Sequence, residues 1–457
     1  MEKFRSELVV NEPVEKLFKW HERPEALKRL NPTFQPVQVI NKEGDLRDGE
    51  VTLRIGNKPL QLDWISRHHS YSQNRNFSDE QLKGPFAFWN HDHVFESVDS
   101  ENSRLVDSVT YELPFKPLGR IFAGKHIQKT LKQLFAYRHN ICENDLKLYK
   151  RSEVDRGKIL VTGSSGLVGT QLIPLLTGAG YEVEGLKRNN SSLQEPCWDI
   201  DGGQIKNVDR CDAVIHLAGE NISSPVRWTD SKKRSILKSR VSGTKLLATH
   251  LASLENPPHT LVCASGMGIY GSRGDVELTE DEAKSDDFIA EVVKEWEAAA
   301  QPAIDAGIRV VFLRFGVILT PLGGALKRMI PATKLFAGGP IGGGQQWWSW
   351  LSIDDAIGSI FHALNQKNLS GPVNVAAPNP VRQGDFAKIF GKVLNRPSFA
   401  RLPGWLVSSI MGEMGRSLLL SSTKVDVSKL ISSGYQFRFE KLEDSLRHLL
   451  GRRIFSD

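Results

Sequence analysis

Apolar and polar residues alternate differently in the first third of the chain than in the rest, and this difference predicts where one domain ends. Single-residue alternation at 51–55 and 93–96 predicts half-buried strands. From 120 to 149, apolar residues recur every three or four positions, which predicts a long amphipathic helix. The residues that form this pattern are Ile121, Ile127, Leu131, Leu134 and Phe135. Residues 1–150 are therefore predicted to form an α+β domain.

Beyond the charged segment 150–157, short apolar runs alternate with helical patterns. We interpret this segment as a linker, with a domain boundary near residue 155. Residues 158–162 are typical of a buried parallel strand. Further strands are predicted at 183–186, 213–217, 260–265 and 310–315, and helices at 167–178, 231–252, 285–305 and 353–365. This alternation predicts an α/β domain over residues 156–380, a doubly wound parallel sheet of Rossmann type with helices on both faces.

The last part of the chain, 381–457, is mostly helical in pattern and is predicted to form a small C-terminal lobe. Within it, Leu402–Ser422 is the nearest candidate for a membrane span, but Glu413 and Arg416 interrupt it. A span needs roughly 18 consecutive apolar residues. We therefore expect no membrane span, and instead an amphipathic helix that is buried against a neighbour.

Composition and charge narrow the possible partners. A chain of 457 residues is long enough for two or three domains, and its formal net charge is +6. The densest basic run, at 232–240, predicts a solvated helix face, with binding of a ligand phosphate as the alternative. No nucleic-acid-binding motif accompanies the charge, so nucleic acid is not an expected partner.

The cysteines and the N-terminus indicate the compartment. No Cys-x-x-Cys pair occurs, and the first residues lack the apolar core of a signal peptide. The cysteines are Cys142, Cys197, Cys211 and Cys263. Scattered cysteines of this kind are typical of reduced thiols. We therefore expect a cytoplasmic protein whose cysteines form neither disulfides nor metal sites.

A glycine-rich segment directly follows the strand at 158–162. Gly163, Gly166 and Gly169 have the spacing that a dinucleotide-binding turn requires, between a strand and a helix. The first glycine permits a tight turn, the second lets the backbone approach a pyrophosphate, and the third lets the helix pack on the sheet. The predicted cofactor-binding segment is completed by Ser164, Ser165, Leu167 and Val168.

The end of the second strand indicates which dinucleotide binds. Arg188 lies 25 positions after Gly163, where an acidic residue would bind the ribose of NAD. A guanidinium suits a 2′-phosphate, so NADP(H) is favoured over NAD(H); the alternative is an exposed basic turn in an NAD protein. Asp199 is expected at the adenine edge. We expect the pyrophosphate and nicotinamide ribose to lie beside Leu217, Ala218 and Gly219.

These residues and their neighbours resemble the extended short-chain dehydrogenase/reductase superfamily, and more closely its NAD(P)-dependent epimerase/dehydratase branch. The resembling segments are 212–221, 265–271, 288–297, 313–319, 338–345 and 374–378, with 396–397, 412–414 and 442–450 in the C-terminal lobe. The resemblance implies a nicotinamide cofactor and a small-molecule substrate. It also implies a reaction that involves hydride transfer.

The sequence departs from this superfamily at its catalytic dyad, Tyr-x-x-x-Lys. Ser265 matches the serine that orients the substrate, but the helix at 287–297 contains no tyrosine. Tyr270 is either a substitute acid or a residue that packs and contacts substrate. Glu291 is either a proton donor or acceptor, or a solvated helix carboxylate. The superfamily's mechanism therefore cannot be transferred intact.

The substrate cleft is expected beyond the carboxyl ends of the strands. The candidate substrate-binding residues are Asn221, Trp228, Arg240, Arg314, Gln346 and Trp350. The tryptophans at 347–350 either stack on a ligand or pack inside the lobe. Arg240 and Arg314 either hold a phosphate or carboxylate, or pair with acidic residues within the fold.

Residues 1–150 resemble a different family, the helix-grip polyketide-cyclase and lipid-transfer-like domains. The resembling segments are 47–49, 84–93 and 111–114. The resemblance implies a curved antiparallel sheet around a long helix, with a pocket for a hydrophobic ligand. His91 and His93 share one face of a strand. Without a visible third ligand we interpret the pair as structural and predict no metal.

Three functions are consistent with these patterns. The first is an NADP(H)-dependent oxidoreductase or epimerase with non-standard acid–base residues. The second is a dinucleotide-binding sensor or scaffold that has lost the chemistry. In the third, the N-terminal pocket is the main site and the Rossmann domain regulates it. A homodimer is one candidate assembly, because dimers are common in this fold class, and the sequence leaves the oligomeric state open.

Overall fold

The computed structural model describes residues 1–114, 118–152, 157–188, 195–208, 210–224 and 226–452, without the side chains of 118–123. It divides into two compact units. The first contains the chain to Glu153 with two short later pieces, and the second contains most of the remainder. The predicted boundary near residue 155 lies outside the described residues.

The first unit is an antiparallel sheet with a long helix. Its elements are β1 (Glu2–Val10), α1 (Val14–Glu22), α2 (Ala26–Leu30), β2 (Val37–Glu43), β3 (Glu50–Ile55), β4 (Leu62–Ser72), β5 (Asn76–Lys83), β6 (Phe88–Ser97), β7 (Ser103–Glu112) and α3 (Leu118–Arg151). The strand order is β1-β7-β6-β5-β4-β3-β2, and every neighbouring pair is antiparallel. The predicted helix-grip architecture is confirmed.

The apolar periodicity of α3 explains why this helix lies against the sheet. Leu131 and Phe135, one turn apart, are both buried, and Ile127 packs beside them. They contact Phe4 of β1 and Tyr111 of β7. Ile121, the first residue of the predicted stripe, has its side chain outside the described part. Burial of such a stripe provides most of the stability of a surface helix.

The second unit alternates strands and helices. Its elements are β8 (Lys158–Thr162), α4 (Gly169–Ala179), β9 (Glu182–Arg188), β10 (Cys197–Asp199), β11 (Gln204–Lys206), β12 (Ala213–His216), α5 (Asp230–Ala252), β13 (Thr260–Gly266), β14 (Glu277–Leu278), α6 (Phe288–Ala298), α7 (Gln301–Asp305), β15 (Arg309–Phe315), β16 (Val317–Leu319), α8 (Gly324–Lys334), β17 (Trp347–Trp348), β18 (Trp350–Ser352), α9 (Ile353–Asn365), β19 (Gly371–Val375), β20 (Val381–Arg382), α10 (Gln383–Leu394), α11 (Gly404–Gly415), β21 (Lys424–Val425), α12 (Ser428–Ser432) and α13 (Leu442–Leu449).

The main sheet of this unit has the order β11-β10-β9-β8-β12-β13-β15-β19. All neighbours are parallel except β10 and β11, which form an antiparallel pair at one edge. The order reverses at β8, between β9 and β12, as in a doubly wound sheet. Ligands of such sheets bind at this reversal, beyond the carboxyl ends of the strands. The predicted Rossmann fold is confirmed.

Two helix predictions are wrong. The single helix expected at 285–305 is divided into α6 and α7, because Pro302 lies in the first turn of α7, where its missing N–H is not needed. The amphipathic helix expected at Leu402–Ser422 is interrupted at Gly412, whose φ is +59°. No helix in the described part of the chain is long and apolar enough to cross a membrane.

Candidate functional site

The turn after β8 requires glycine for steric reasons. Gly163 has a φ of +69°, and a Cβ there would lie 2.8 Å from the carbonyl carbon of Leu217. A Cβ at Gly169 would overlap the carbonyl oxygen of Gly163. The N–H of Gly166 donates to that oxygen at 2.9 Å, which closes the turn. The backbone therefore leads directly from the strand into α4, with its first amides at the open end.

The remaining residues of the turn differ in their exposure and in the elements that they contact. Ser165 and Gly166 are exposed, so the approach to the turn is open. Ser164 lies against β9, since a Cβ at Gly185 would be 2.7 Å from its Oγ. Leu167 and Val168 are half-buried in the turn that precedes α4.

The backbone of Leu217 and Ala218, beside the glycine turn, is held by a buried chain of hydrogen bonds. Thr162 Oγ1 accepts the N–H groups of Leu217 and Ala218, both at 3.1 Å. Because these two bonds use both lone pairs of Thr162 Oγ1, its hydroxyl hydrogen is donated to His216 Nδ1, at 2.7 Å. His216 Nε2 therefore carries the hydrogen and donates to Thr244 Oγ1 at 2.8 Å. Burial, and then the charge of a nearby arginine, lowers the pKa of His216 to about 4, so the ring is neutral.

Arg188 is the last residue of β9, and its side chain is exposed. Among the described residues it has no hydrogen-bond or ion-pair partner. The preceding Lys187, in contrast, forms an ion pair with Glu195 at 2.7 Å. Arg188 can therefore contact a ligand without breaking an existing bond. Asp199 is exposed and accepts the N–H of Asp201 at 3.0 Å, so one of its oxygens is engaged in its own turn.

Ser265 is the last residue but one of β13, and its side chain connects to a buried ion pair. Its hydroxyl donates to Glu297 Oε1 at 2.7 Å. The same carboxylate accepts two bonds from Arg314, from Nε at 2.9 Å and from Nη2 at 2.8 Å. Burial lowers the pKa of the Arg314 guanidinium, but the bonds and charge of Glu297 outweigh it, so the pKa lies above its ordinary value. Arg314 therefore forms an ion pair inside the fold, the second of the two interpretations above.

Tyr270 lies in the 3₁₀ turn Met267–Tyr270 and is fully buried. Its hydroxyl donates to Asn374 Oδ1 at 2.7 Å and accepts a bond from Arg314 Nη1 at 2.9 Å. Burial raises the pKa of this phenol, although Arg314 opposes the shift. These contacts fit the packing interpretation of Tyr270. Glu291 lies in the first turn of α6 and is exposed, as expected for a solvated carboxylate.

Two of the predicted substrate residues, Asn221 and Trp228, lie on the segment between β12 and α5, and a third, Arg240, lies on α5. Asn221 is exposed, and its Oδ1 accepts the N–H of Ser223 at 2.9 Å. The indole of Trp228 packs against the ring of Phe288, with the ring centroids 5.4 Å apart. Arg240 donates to the carbonyl of Glu220 at 3.0 Å. Arg240 thus supports the backbone of this segment, and Asn221 and Trp228 stay candidates for substrate contact.

The other two predicted substrate residues are engaged within the second unit. The Gln346 amide donates to the carbonyls of Ile341 and Leu419, both at 3.0 Å. Trp350 is fully buried, and its indole N–H donates to the carbonyl of Asn379 at 2.9 Å. Both side chains have the contacts of core residues. The packing interpretation of the tryptophan cluster therefore fits Trp350.

Comparison with known proteins identifies the family. Residues 159–376 match the model of the NAD dependent epimerase/dehydratase family. The epimerase family protein YfhF of Bacillus subtilis is 36% identical over 302 residues, which is 65% of this chain and 98% of the relative. The chain belongs to the epimerase family.

Two solved structures extend the family likeness. A nucleoside-diphosphate sugar epimerase from Corynebacterium glutamicum is 33% identical with a TM-score of 0.80, covering 98% of this chain and 90% of that one. The human epimerase family protein SDR39U1, whose structure was determined with NADPH, is 34% identical with a TM-score of 0.60. The likeness covers 64% of this epimerase-family chain and 99% of the human one.

The flanking segments of this epimerase-family chain match other models. Residues 402–449 match a domain of unknown function, DUF1731, and residues 10–136 match the family of polyketide cyclase / dehydrase and lipid transport. In the N-terminal unit, a groove of about 890 Å³ runs along α3. Its lining includes Phe34 and three lysines, Lys125, Lys129 and Lys132.

Sequence reasoning missed Glu297, the residue that connects Ser265 with Arg314. A signal was present, because Ile289, Val293 and Glu297 follow one another at four-residue steps along α6. A carboxylate that continues an apolar stripe faces the interior and needs a buried partner. In this epimerase-family protein, that partner is a guanidinium on a neighbouring strand.

Proposed function

We propose that this epimerase-family protein binds NADP(H) and uses it for hydride transfer with a small polar molecule, as an oxidoreductase or epimerase. The observation that carries the proposal is the turn at Gly163, which aims the first amides of α4 at an open site. Helix N-termini of this kind bind phosphate. The structure of human SDR39U1 with NADPH, at 34% identity, supports the same choice of cofactor.

Each part of the cofactor has a proposed contact. We assign the pyrophosphate to the backbone of residues 163–169, and the nicotinamide ribose to the loop from Leu217 to Gly219. Arg188 would bind the 2′-phosphate, since its guanidinium is exposed at the end of β9. Asp199 remains the candidate at the adenine edge through its second oxygen. Among these contacts, the one from Arg188 distinguishes NADPH from NADH.

Ser265 is the residue we propose to orient the substrate. The Ser265 hydroxyl donates its hydrogen to Glu297, which is paired with Arg314, so the lone pairs of the serine oxygen are available to accept a bond from a substrate hydroxyl. The acid–base group is then a side chain other than Tyr270, whose hydroxyl is buried and fully bonded. We retain Glu291 as the candidate for this proton transfer, because its carboxylate is exposed.

Turnover tests this proposal. Purified protein is mixed with NADPH and a panel of sugar and other carbonyl compounds. Loss of the nicotinamide absorbance reports reduction, and chromatography of the products reports epimerisation, which leaves the cofactor unchanged. Replacing Ser265 with Ala removes one hydrogen bond to substrate and should lower kcat/KM at least about tenfold. Ser253→Ala, at an exposed position that ends α5, is the matched control and should leave the rate unchanged. Equal rates for both variants would remove Ser265 from the mechanism.

A second candidate function is a dinucleotide sensor or scaffold without turnover. It is favoured by one observation, the burial of Tyr270 together with the lack of any tyrosine on α6. A sensor would bind NADPH tightly, would neither reduce nor epimerise any compound of the panel, and would bind NADPH equally well as the Ser265→Ala variant. Detectable turnover that depends on Ser265 would exclude this function.

We further propose that the groove along α3 binds an amphipathic anion, with its chain on Phe34 and its charge near Lys129. Native mass spectrometry of the full chain should then show a retained small molecule, and its loss in the Phe34→Asp variant. If the mass of the protein as isolated equals that of the polypeptide alone, this role is contradicted. A cytoplasmic location and a homodimer also stay predictions, and the same spectra report the oligomeric state.

A further inference from the structure

A cluster of histidines and aspartates lies on one face of the N-terminal sheet. Asp79 of β5 is the cross-strand partner of His91, and Asp107 of β7 is the partner of His93. His91 and His93 both belong to β6 and are two residues apart, so they share a face. His139 of α3 contacts Asp107 from the helix, with its Nε2 2.8 Å from Asp107 Oδ2. The cluster therefore lies between the sheet and the helix.

Three ligand atoms converge within this cluster. Asp79 Oδ2 is 3.2 Å from His91 Nδ1 and 3.7 Å from His93 Nε2. One ligand atom from each of the three residues can be chosen so that all lie within 4.8 Å of one another. The side chains of His91, His93 and Asp79 are 4%, 12% and 18% exposed. We propose that Asp79, His91 and His93 bind a divalent transition-metal ion.

The second nitrogen of each ring lies close to a carboxylate oxygen. His91 Nε2 is 3.1 Å, and His93 Nδ1 2.8 Å, from the same oxygen of Asp107. Histidines that bind metals usually direct their other N–H to a carboxylate, which fixes the ring and raises its basicity. Asp107 does this for His91, whereas His93 Nδ1 lies near the same oxygen without forming a hydrogen bond to it. Phe77 stacks on His93 at a centroid distance of 4.2 Å and holds the ring plane.

The converging acceptor atoms explain why a cation fits this position. Asp79 Oδ2 approaches His91 Nδ1 and His93 Nε2, and each of these three atoms presents a lone pair when the ring nitrogens bear no hydrogen. A cation at the convergence point satisfies the three lone pairs. The competing occupant is one shared proton, with the nearby Arg138 balancing the carboxylates.

The donor set indicates which cation fits. Two imidazole nitrogens and one carboxylate are ligands for Zn²⁺, Fe²⁺ or Co²⁺, whereas Mg²⁺ and Ca²⁺ prefer oxygen ligands. Three protein ligands leave a coordination position open for water or another small ligand. The proposed centre would therefore provide a Lewis acid within the helix-grip domain, separate from the dinucleotide turn.

Co²⁺ binding to the full chain tests the proposal. Chelator-treated protein is titrated with Co²⁺ while the visible spectrum is recorded, and Zn²⁺ is then added as competitor. We expect one Co²⁺ per chain, d–d absorption bands, and displacement by Zn²⁺. His91→Ala and His93→Ala should weaken binding at least about 100-fold, and His69→Ala should have no effect because His69 bonds to Ser70 and Asn90 instead.

A second set of variants keeps the test decisive if the alanine variants fail to fold. Asp79→Asn preserves the shape of the side chain and should lower Co²⁺ affinity strongly. Asp107→Asn retains all three ligands and should weaken binding about 10–100-fold while keeping the cobalt spectrum. Far-UV circular dichroism checks the folding of each variant. Wild-type protein without saturable binding, or unchanged binding in Asp79→Asn, would overturn the proposal in favour of the shared proton.

Discussion

Reversing the charge at residue 188 tests the cofactor choice directly. Arg188 is exposed at the end of β9. A hydrogen bond from its guanidinium to a 2′-phosphate should therefore contribute about 1.5 kcal/mol to the binding free energy, which is the low end of the range for hydrogen bonds to charged groups. An aspartate adds repulsion, which water and salt reduce to roughly 0.5 kcal/mol. The sum of about 2 kcal/mol corresponds to a Kd for NADPH that is about 30-fold higher. NADH lacks the phosphate, so its Kd should change less than about threefold.

Isothermal titration calorimetry with both nucleotides measures this difference. Lys187→Asp is the matched control, because it changes the net charge equally at the adjacent position, where successive side chains of a strand point to opposite faces. Its ammonium is already paired with Glu195. The Arg188→Asp effect should shrink as salt is raised, since exposed charges are screened. Equal losses for NADPH and NADH, or equal losses in the two variants, would contradict a specific phosphate contact.

Two further predictions concern the stability of the ion pair and the steric requirement for glycine in the turn. Glu297→Gln leaves the buried Arg314 without its counter-ion and should lower the free energy of unfolding, measured by urea denaturation, by about 3 kcal/mol. The control Glu295→Gln, on the exposed face of the same helix, should lower it by under about 0.5 kcal/mol. Similar losses in the two variants would mean that the ion pair is dispensable. Gly163→Ala places a Cβ 2.8 Å from backbone and should abolish NADPH binding. Gly203→Ala has the same backbone strain in open space, so it should cost only about 1 kcal/mol and bind NADPH normally.

The glycine-rich turn and the sheet could be predicted because their signals are local. Gly163, Gly166 and Gly169 lie within one turn of chain, and the strand at 158–162 is a single apolar run. The division between α6 and α7 also has a local signal in Pro302, but the helical periodicity of 285–305 continues across it. The proline does not interrupt the apolar pattern, and only its ring geometry requires a new helix start.

The interior networks could not be predicted, because they depend on pairing between distant elements. Ser265 and Arg314 are partners in the register of two parallel strands, 49 residues apart in sequence. Asp79 is likewise brought to His91 by the register of an antiparallel pair. A one-residue shift in either pairing would turn these side chains to opposite faces. Sequence spacing alone contains no information on that register.

The hydrogen-bonded chain from Thr162 through His216 to Thr244 has a consequence for nucleotide affinity. Because a buried, neutral imidazole in one tautomer holds the hydroxyl, the peptide groups of Leu217 and Ala218 are fixed before any nucleotide arrives. Ordering a loop on binding costs conformational entropy, and a preorganised surface avoids that cost. In the binding mode proposed above, the nucleotide would contact this preorganised backbone, and more of its contact energy would be available as affinity.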